Sequence, residues 1–342
     1  MRHLASIQTV TKIEPIQGAD NIELAHVLGW QCVIKKGEFQ PGSKAVYFEI
    51  DSFLPIKPEF EFLRKSSFKN SPILGEGFRL RTVQMCGQIS QGLLLPLEIL
   101  PDGNYSVGDD VTDILGVRKW EIPEKASGVG TCIGNLPHFV RKTEEARIQA
   151  FPGLLYEMQH KPYYITTKMD GSSFTVAIDA NNEVHICSHN YELRKDDSCP
   201  FWKHVQQFVE NMLSYKANKN YTTLVIQGEF CGEGIQGNRQ KLRKLEWDVF
   251  NVIADGKFGG NFEIVEAIVK MGLDHVPFEE GGNSFDYETV DELLKRAVGE
   301  YMTTGVQKEG IVVRPTFSCI SKILNAPLSF KVINNNYLLK EK

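Results

Sequence analysis

Short apolar runs broken by turn residues set the texture of the first third of the chain. Val33-Ile34 and Ala45-Val46-Tyr47-Phe48 are separated by Gly37 and by Gln40-Pro41-Gly42, and further runs occupy residues 78–83 and 92–96. Runs bounded by Gly and Pro in this way read as short strands. Several of them within about a hundred residues predict a small barrel or sandwich, an OB-like β-barrel foremost. Beyond residue 137 the pattern mixes periods. Strands are expected at 163–168, 174–178 and 183–188, with Asp179-Ala180-Asn181-Asn182 as a turn, and at 222–230, 308–315 and 328–334. Phe201, Trp202, Val205, Phe208, Val209, Met212 and Leu213 fall on one helical face, predicting a helix over 201–215, with others over 262–271 and 288–301. Strands and helices do not alternate strictly, so antiparallel sheets flanked by helices are expected, an α+β class, rather than a doubly wound parallel sheet. Residues 123–137, rich in Gly, Pro and Ser, read as a linker between domains 1–125 and 126–342.

Composition narrows the class. The 342 residues are 42% hydrophobic and 24% charged, which suits two soluble domains and excludes disorder. No run approaches the roughly 18 apolar residues of a membrane span. The first eight residues lack an apolar signal segment, so a cytoplasmic or nuclear protein without membrane attachment is expected. The net charge of −5 argues against nucleic-acid binding by bulk charge. It leaves room for local basic surfaces at Lys57, Arg64, Lys65, Lys69, Arg79 and Arg81, and at Arg239, Lys241, Arg243 and Lys244. The first group is interleaved with Glu59, Glu61 and Glu76, so a solvated mixed-charge surface is an equal reading. Seven scattered cysteines without a Cys-x-x-Cys pair disfavour disulfides and zinc, and most are expected to be small buried hydrophobes.

The candidate chemistry starts at Lys168, which closes the run Tyr164-Ile165-Thr166-Thr167 and is followed by Asp170 and Gly171. A lysine at a strand end is held by the sheet. Its amine attacks phosphorus only when deprotonated, and therefore when desolvated or placed near other cations. Alone, a surface lysine before an Asp-Gly turn is the commoner case. Gly232 to Gly237 match Gly-x-Gly-x-x-Gly, but the polar run Asn238-Arg239-Gln240-Lys241-Leu242-Arg243-Lys244 cannot supply the apolar helix of a dinucleotide fold. Glu229, ending a strand, suits a ribose hydroxyl or a hydrated metal, or is a solvated acid. Phe250 offers a π-face to a purine or belongs to the core. Glu309 precedes the apolar run 310–313. Lys331 lies inside a strand, where its charge needs a partner, phosphate or a carboxylate such as Glu309.

Taken in order, Lys168-Met169-Asp170-Gly171, Gly228-Glu229-Phe230, the aromatic-acid strand 246–252, Glu309-Gly310-Ile311-Val312-Val313 and Ser329-Phe330-Lys331 resemble motifs I, III, IIIa, IV and V of the covalent nucleotidyltransferases. The chain is most similar to ATP-dependent RNA ligases in which an OB domain precedes the nucleotidyltransferase (adenylyltransferase) domain. The resemblance spans residues 1–342 and is strongest over 138–334. DNA ligases and capping enzymes usually carry an arginine two residues after the motif I glycine; Ser173 stands there, favouring RNA ligase. The run from Arg141 to Gln149 resembles the family's nucleotide-pocket segment, although composition alone would make it a solvated helix. Two departures stand out. Ser188-His189-Asn190 resembles motif Ia, where arginine is common at the His189 position and Arg194 is a possible substitute. Motif V has only Lys331, with Ser329 or Ile333 at the place of a second lysine.

The resemblance implies that Lys168 attacks the α-phosphate of ATP to form lysyl-AMP. AMP then moves to a 5′-phosphate RNA end, and a 3′-OH end displaces it. By the same resemblance the nucleotide is bound by Arg147, Gln149, Thr167, Asp170, Gly171, Glu229, Phe250 and Lys331, and Mg²⁺ or Mn²⁺ is held by Asp170, Glu229 and Glu309. The implied partner is RNA with 3′-OH and 5′-phosphate ends, as a nicked duplex or RNA–DNA hybrid, joined by a monomer in RNA repair. The alternatives are a non-catalytic RNA-binding protein on the same scaffold, a DNA ligase, or a GTP-dependent capping enzyme.

Overall fold

A computed structural model describes residues 3–120 and 130–340. The chain forms two compact units, Met1–Glu124 with Gln149–Pro152 and Leu338–Lys342, and Lys125–Ile148 with Gly153–Tyr337.

In the first unit, Lys44–Phe48 lies between Ala5–Thr9 and Leu93–Leu95, antiparallel to both. Lys12–Pro15, Ile22–Val27 and Trp30–Lys35 form a meander, and Ser52–Leu54, Gly75–Arg79, Phe68–Ser71 and Arg118–Lys119 form another sheet. Alternation along these strands turns Ile7, Val46, Phe48, Leu54 and Phe78 into one core, joined by Phe60 from the short helix Pro58–Leu63, each large side chain contributing about 1.5–3 kcal/mol by leaving water. Arg79, expected on a phosphate-facing surface, is instead 4% exposed. It stands over the Trp120 ring at 5.1 Å and 3.9 Å from Asp51, where packing of a cation on an aromatic face holds it inside. Arg64 is committed to Glu61 at 2.7 Å.

Among the described residues the second unit is built on two large sheets, beside the small ribbon of Ile320–Ser321 and Ala326–Pro327. One orders Cys132–Asn135, Tyr191–Leu193, Val184–Cys187, Ser172–Ile178, Leu224–Cys231, Glu246–Ala254 and Lys257–Phe258. The other orders Ala146–Arg147, Phe330–Ile333, Gly310–Pro315, Tyr163–Lys168 and Phe278–Gly282. The core lies behind the first sheet, where the rings of Phe201 and Phe230 stack at 4.3 Å beside Phe174 and Trp247. Helix Asn261–Met271 closes on Gly272 in the left-handed region, φ +72°, and Val290–Ala297 starts on a capping box of Thr289 and Glu292. The expected single helix over 201–215 is interrupted. Pro200–Val205 and Val209–Asn218 are joined by the tighter turn Gln206–Phe208. The expected linker also needs correction. Residues 121–129 lie outside the described residues, but Cys132–Asn135 is an edge strand paired with Tyr191–Leu193. Its register with Tyr191–Leu193 shifts between Cys132 and Gly134, a bulge on the sheet edge. Cys32, Cys187, Cys199 and Cys231 are buried free thiols, Cys319 is half-buried, and Cys86 and Cys132 are exposed. No helix among the described residues is long and apolar enough to cross a membrane.

Candidate active site

Tyr163–Lys168 runs to the end of one sheet, and four residues later the chain enters Ser172–Ile178 of the other. Gly171 makes that crossing possible, since a Cβ there would stand 2.1 Å from the Phe230 carbonyl oxygen. Gly310, directly opposite Lys168, comes equally close to Val332; its Cβ would stand 2.1 Å from that carbonyl oxygen. The two close approaches place Lys168 Nζ 2.8 Å from Glu309 Oε2, both side chains half-buried. Burial alone would pull the Lys168 ammonium down; the carboxylates of Glu309, Glu229 and Asp170 outweigh it and hold the pKa well above the usual lysine range.

Those acids have separate supports. Asp170 accepts from the Tyr337 hydroxyl at 2.6 Å and stands 3.7 Å from the Arg239 guanidinium, and its carbonyl accepts from Gln240 Nε2 at 2.9 Å. Tyr301 donates to the Lys168 carbonyl at 3.3 Å, and its oxygen accepts the Glu309 backbone N–H at 3.2 Å. Glu229 lies between Ser173 and Asp248 in register across three strands, so the three side chains share a face. Burial, with repulsion from Glu309 and Asp170, pushes Glu229 up to about 8 against the pull of Lys168. A folded carboxyl with a raised pKa keeps its proton where the unfolded chain has released it. Stability therefore falls as pH rises from about 4.5 towards 8. Glu229→Gln should raise the melting temperature at pH 8 by roughly 2–6 °C, with the gain fading towards pH 5 in thermal scans.

Phe250 sits where Glu246–Ala254 bulges. Gln227 pairs with Asn251 and Gly228 with Val249, leaving Phe250 as the extra residue. A bulge re-aims its side chain, and Phe250 is half-buried against Met169, Cys231 and Tyr301. Arg314, buried, fixes the bulge. It donates to the Phe250 carbonyl at 3.1 Å, to Ser329 Oγ at 3.0 Å and to Glu145 Oε1 at 2.5 Å. Arg314→Met leaves the half-buried Glu145 carboxylate and the Phe250 carbonyl without their donor and should cost about 1–3 kcal/mol in urea unfolding.

Sheet register assigns the remaining residues. Lys168 is opposite Gly310, Gly310 is opposite Ile333, and Lys331 lies two residues along from Ile333, so Lys331 shares the Lys168 face. Arg147 pairs with Lys331 in parallel and adds a third cation to that face. The Thr167 side chain goes to the opposite face, where its hydroxyl donates to Glu279 at 2.8 Å. Gln149 is fully buried in the first unit, its carbonyl accepting from the Gly29 N–H at 2.9 Å. Neither Ser329, which receives Arg314, nor the buried Ile333 supplies a second motif V cation. Thr143 joins Ser173, after motif I, to His189 of the motif Ia segment, with its hydroxyl 2.5 Å from Ser173 Oγ and 3.2 Å from His189 Nδ1. Arg194 is exposed at the strand end. Tyr301, Tyr337, Gln240, Arg314 and Thr143 escaped the sequence reading because only contacts distant along the chain define them.

The donor set suits a hard divalent cation, being oxygen from carboxylates beside cations that would face phosphate. The one group of three among the described residues whose donor atoms all lie within 4.8 Å is Asp179, Glu183 and His185, elsewhere in the sheet. Asp170, Glu229 and Glu309 do not form such a group.

A model of an OB-fold domain matches residues 4–97, and a model of RNA ligase matches residues 161–333. No curated protein sequence matches the chain. Naegleria gruberi RNA ligase solved with PPi is 34% identical, with a TM-score of 0.89 over 100% of this chain and 99% of that one. Two lysine-substituted variants of that ligase, one with ATP and Mn and one with AMP and Mn, are likewise 34% identical at a TM-score of 0.89, each alignment covering 99% of both chains. With an OB-fold module followed by this lysine-centred pair of sheets, the chain belongs to the RNA ligase family.

Proposed function

We propose that this RNA ligase uses ATP and joins a 3′-OH to a 5′-phosphate RNA end through a lysyl-AMP intermediate on Lys168. The observation that carries the reading is the Lys168 amine, fixed at a strand end 2.8 Å from Glu309 and surrounded by Asp170 and Glu229.

In the first displacement the neutral Lys168 amine attacks the α-phosphorus of ATP. An Nζ–P bond forms, the bond to the bridging oxygen breaks, and pyrophosphate leaves. Next, an oxygen of the RNA 5′-phosphate attacks the lysine-bound phosphorus, which frees Lys168 and gives a 5′-adenylated end. Finally the 3′-OH attacks the activated 5′-phosphate and AMP departs, so one difficult ligation becomes three easier displacements. Each nucleophile must approach a polyanion. Arg147 and Lys331 on the Lys168 face counter that charge, while Phe250 offers its ring to adenine. Mg²⁺ or Mn²⁺, held through water by Asp170, Glu229 and Glu309, would neutralise phosphate charge and favour the uncharged amine.

Incubation with α-³²P-ATP and Mn²⁺, then a chase with nicked RNA, tests the sequence of events. The expected result is a denaturation-resistant label at Lys168 that passes to the RNA 5′ end and leaves as AMP when the nick closes. A protein stripped with pyrophosphate that takes up no label would overturn the reading. The same assay on a nicked duplex, an RNA–DNA hybrid and single strands ranks the substrates, and ligation of a nick with repair-type ends is the outcome favoured here.

A further inference from the structure

Lys168 and Glu309 are each preceded by a residue whose side chain ends on one shared carboxylate. Thr167 Oγ1 donates to Glu279 Oε1 at 2.8 Å. Lys308 Nζ, 4% exposed, donates to the two oxygens of Glu279 at 2.6 and 2.5 Å. Arg296 Nη1 adds a third donor at 2.9 Å, and its Nε is held by Glu280 at 2.7 Å. Burial would raise the Glu279 pKa; Lys308, Thr167 and Arg296 hold it below the usual carboxylate range, so the tie is ionic.

Glu279 reaches this place because its strand bulges. Ile165 pairs with Glu280 and Thr166 with Phe278, which leaves Glu279 as the extra residue, and a bulge turns a side chain where regular alternation would not. The backbone around Lys308 and Glu309 is held at both ends. Lys308 N–H donates to the Gly299 carbonyl at 3.0 Å, and the Glu309 carbonyl accepts from Asn334 N–H at 2.8 Å. A buried ion-pair network of this kind gives little net stability over apolar packing. What it does fix is relative position, because it ties the two strand ends that present the amine and its acid.

We propose that Glu279 is a positioning residue for adenylylation: by gripping Thr167 and Lys308 on one face of the sheet, it sets the separation of Lys168 and Glu309 on the other. This rests on the lysyl-AMP reading above. Misplacement of a reacting group by about 1 Å costs on the order of 100-fold in rate, so the tie acts on the chemical step and leaves ATP binding alone.

The test is single-turnover adenylylation of the full chain across ATP concentrations. Glu279→Gln should lower the maximal rate about 10- to 100-fold while half-saturation by ATP moves less than about threefold. Lys308→Met should do the same, and the double variant should be no slower than the slower single one, because both act through one tie. Multiplying effects, a loss confined to ATP half-saturation, or a lowered melting temperature with an intact maximal rate at 25 °C would each overturn the proposal. If Glu279→Gln does not fold, Thr167→Val, which removes one hydroxyl from the tie, carries the test with the same rate-against-saturation readout. Lys168→Ala runs alongside. If it still takes up label, the lysyl-AMP reading falls and the proposal with it. If it is blank while Glu279→Gln keeps full speed, the positioning role alone is lost.

Discussion

Lys168→Ala is expected to take up no label from α-³²P-ATP, even after pyrophosphate stripping and with Mn²⁺ present. The substitution removes the nucleophile, and the cations sharing its face do not replace it. Lys331 lies on a different strand, in register with Val312 and Arg147 and two residues from the position opposite Gly310. Lys168→Arg sharpens the result. The guanidinium keeps a positive partner for Glu309, so the site stays paired, but it does not deprotonate near neutral pH and cannot act as a nucleophile. A blank arginine variant with a normal melting temperature and retained ATP binding would place the defect in the chemistry. A labelled Lys168→Ala protein would remove Lys168 from the mechanism.

Glu309→Ala should slow adenylylation by about 100- to 1,000-fold, an effect on the scale of removing one preorganised charged group from a site of this kind. Two losses combine: the amine loses the acceptor that orients it at 2.8 Å, and the divalent cation of the proposed mechanism would lose one of its three carboxylates. Glu309→Gln separates them by pH. Burial lowers the Lys168 pKa, while Glu309 is the largest of the three charges that raise it, ahead of Glu229 and Asp170. Taking that charge away lowers the pKa, so the amine becomes neutral at lower pH. The acid limb of the rate profile should therefore move to lower pH in Glu309→Gln, even as the maximal rate falls. An unmoved limb would mean that Glu309 does not govern the protonation of Lys168.

Legibility differed by element for physical reasons. Strand 163–168 and the helix over 262–271 show clean periods, and the structure has them as Tyr163–Lys168 and Asn261–Met271. Phe278–Gly282, reading Phe-Glu-Glu-Gly-Gly, has no β-type pattern at all; it is a strand because Tyr163–Lys168 pairs with it along an edge. Arg79 looked like a surface cation because nothing near it in the chain announces that Trp120 will lie beneath its guanidinium. The family resemblance puts Thr167 among the nucleotide residues, and strand alternation turns its hydroxyl to Glu279.

By itself the sequence determined the order of chemistry-bearing segments, the β-rich module ahead of the mixed one, and the identity of Lys168, Glu229 and Glu309 as the groups to watch. The module order is local, being written in residue type, short spacing and turn chemistry, whereas Lys168, Glu229 and Glu309 stand out only through the ordered resemblance to ligase motifs. Tertiary structure alone decided which groups meet. It brought Glu309 to Lys168 across 141 positions of chain, Tyr337 to Asp170 across 167, and Arg314 to Glu145 across 169. Such pairings depend on strand register and on two bulges, at Phe250 and Glu279, whose positions follow from how neighbouring strands twist and pack rather than from any pattern within the strand itself.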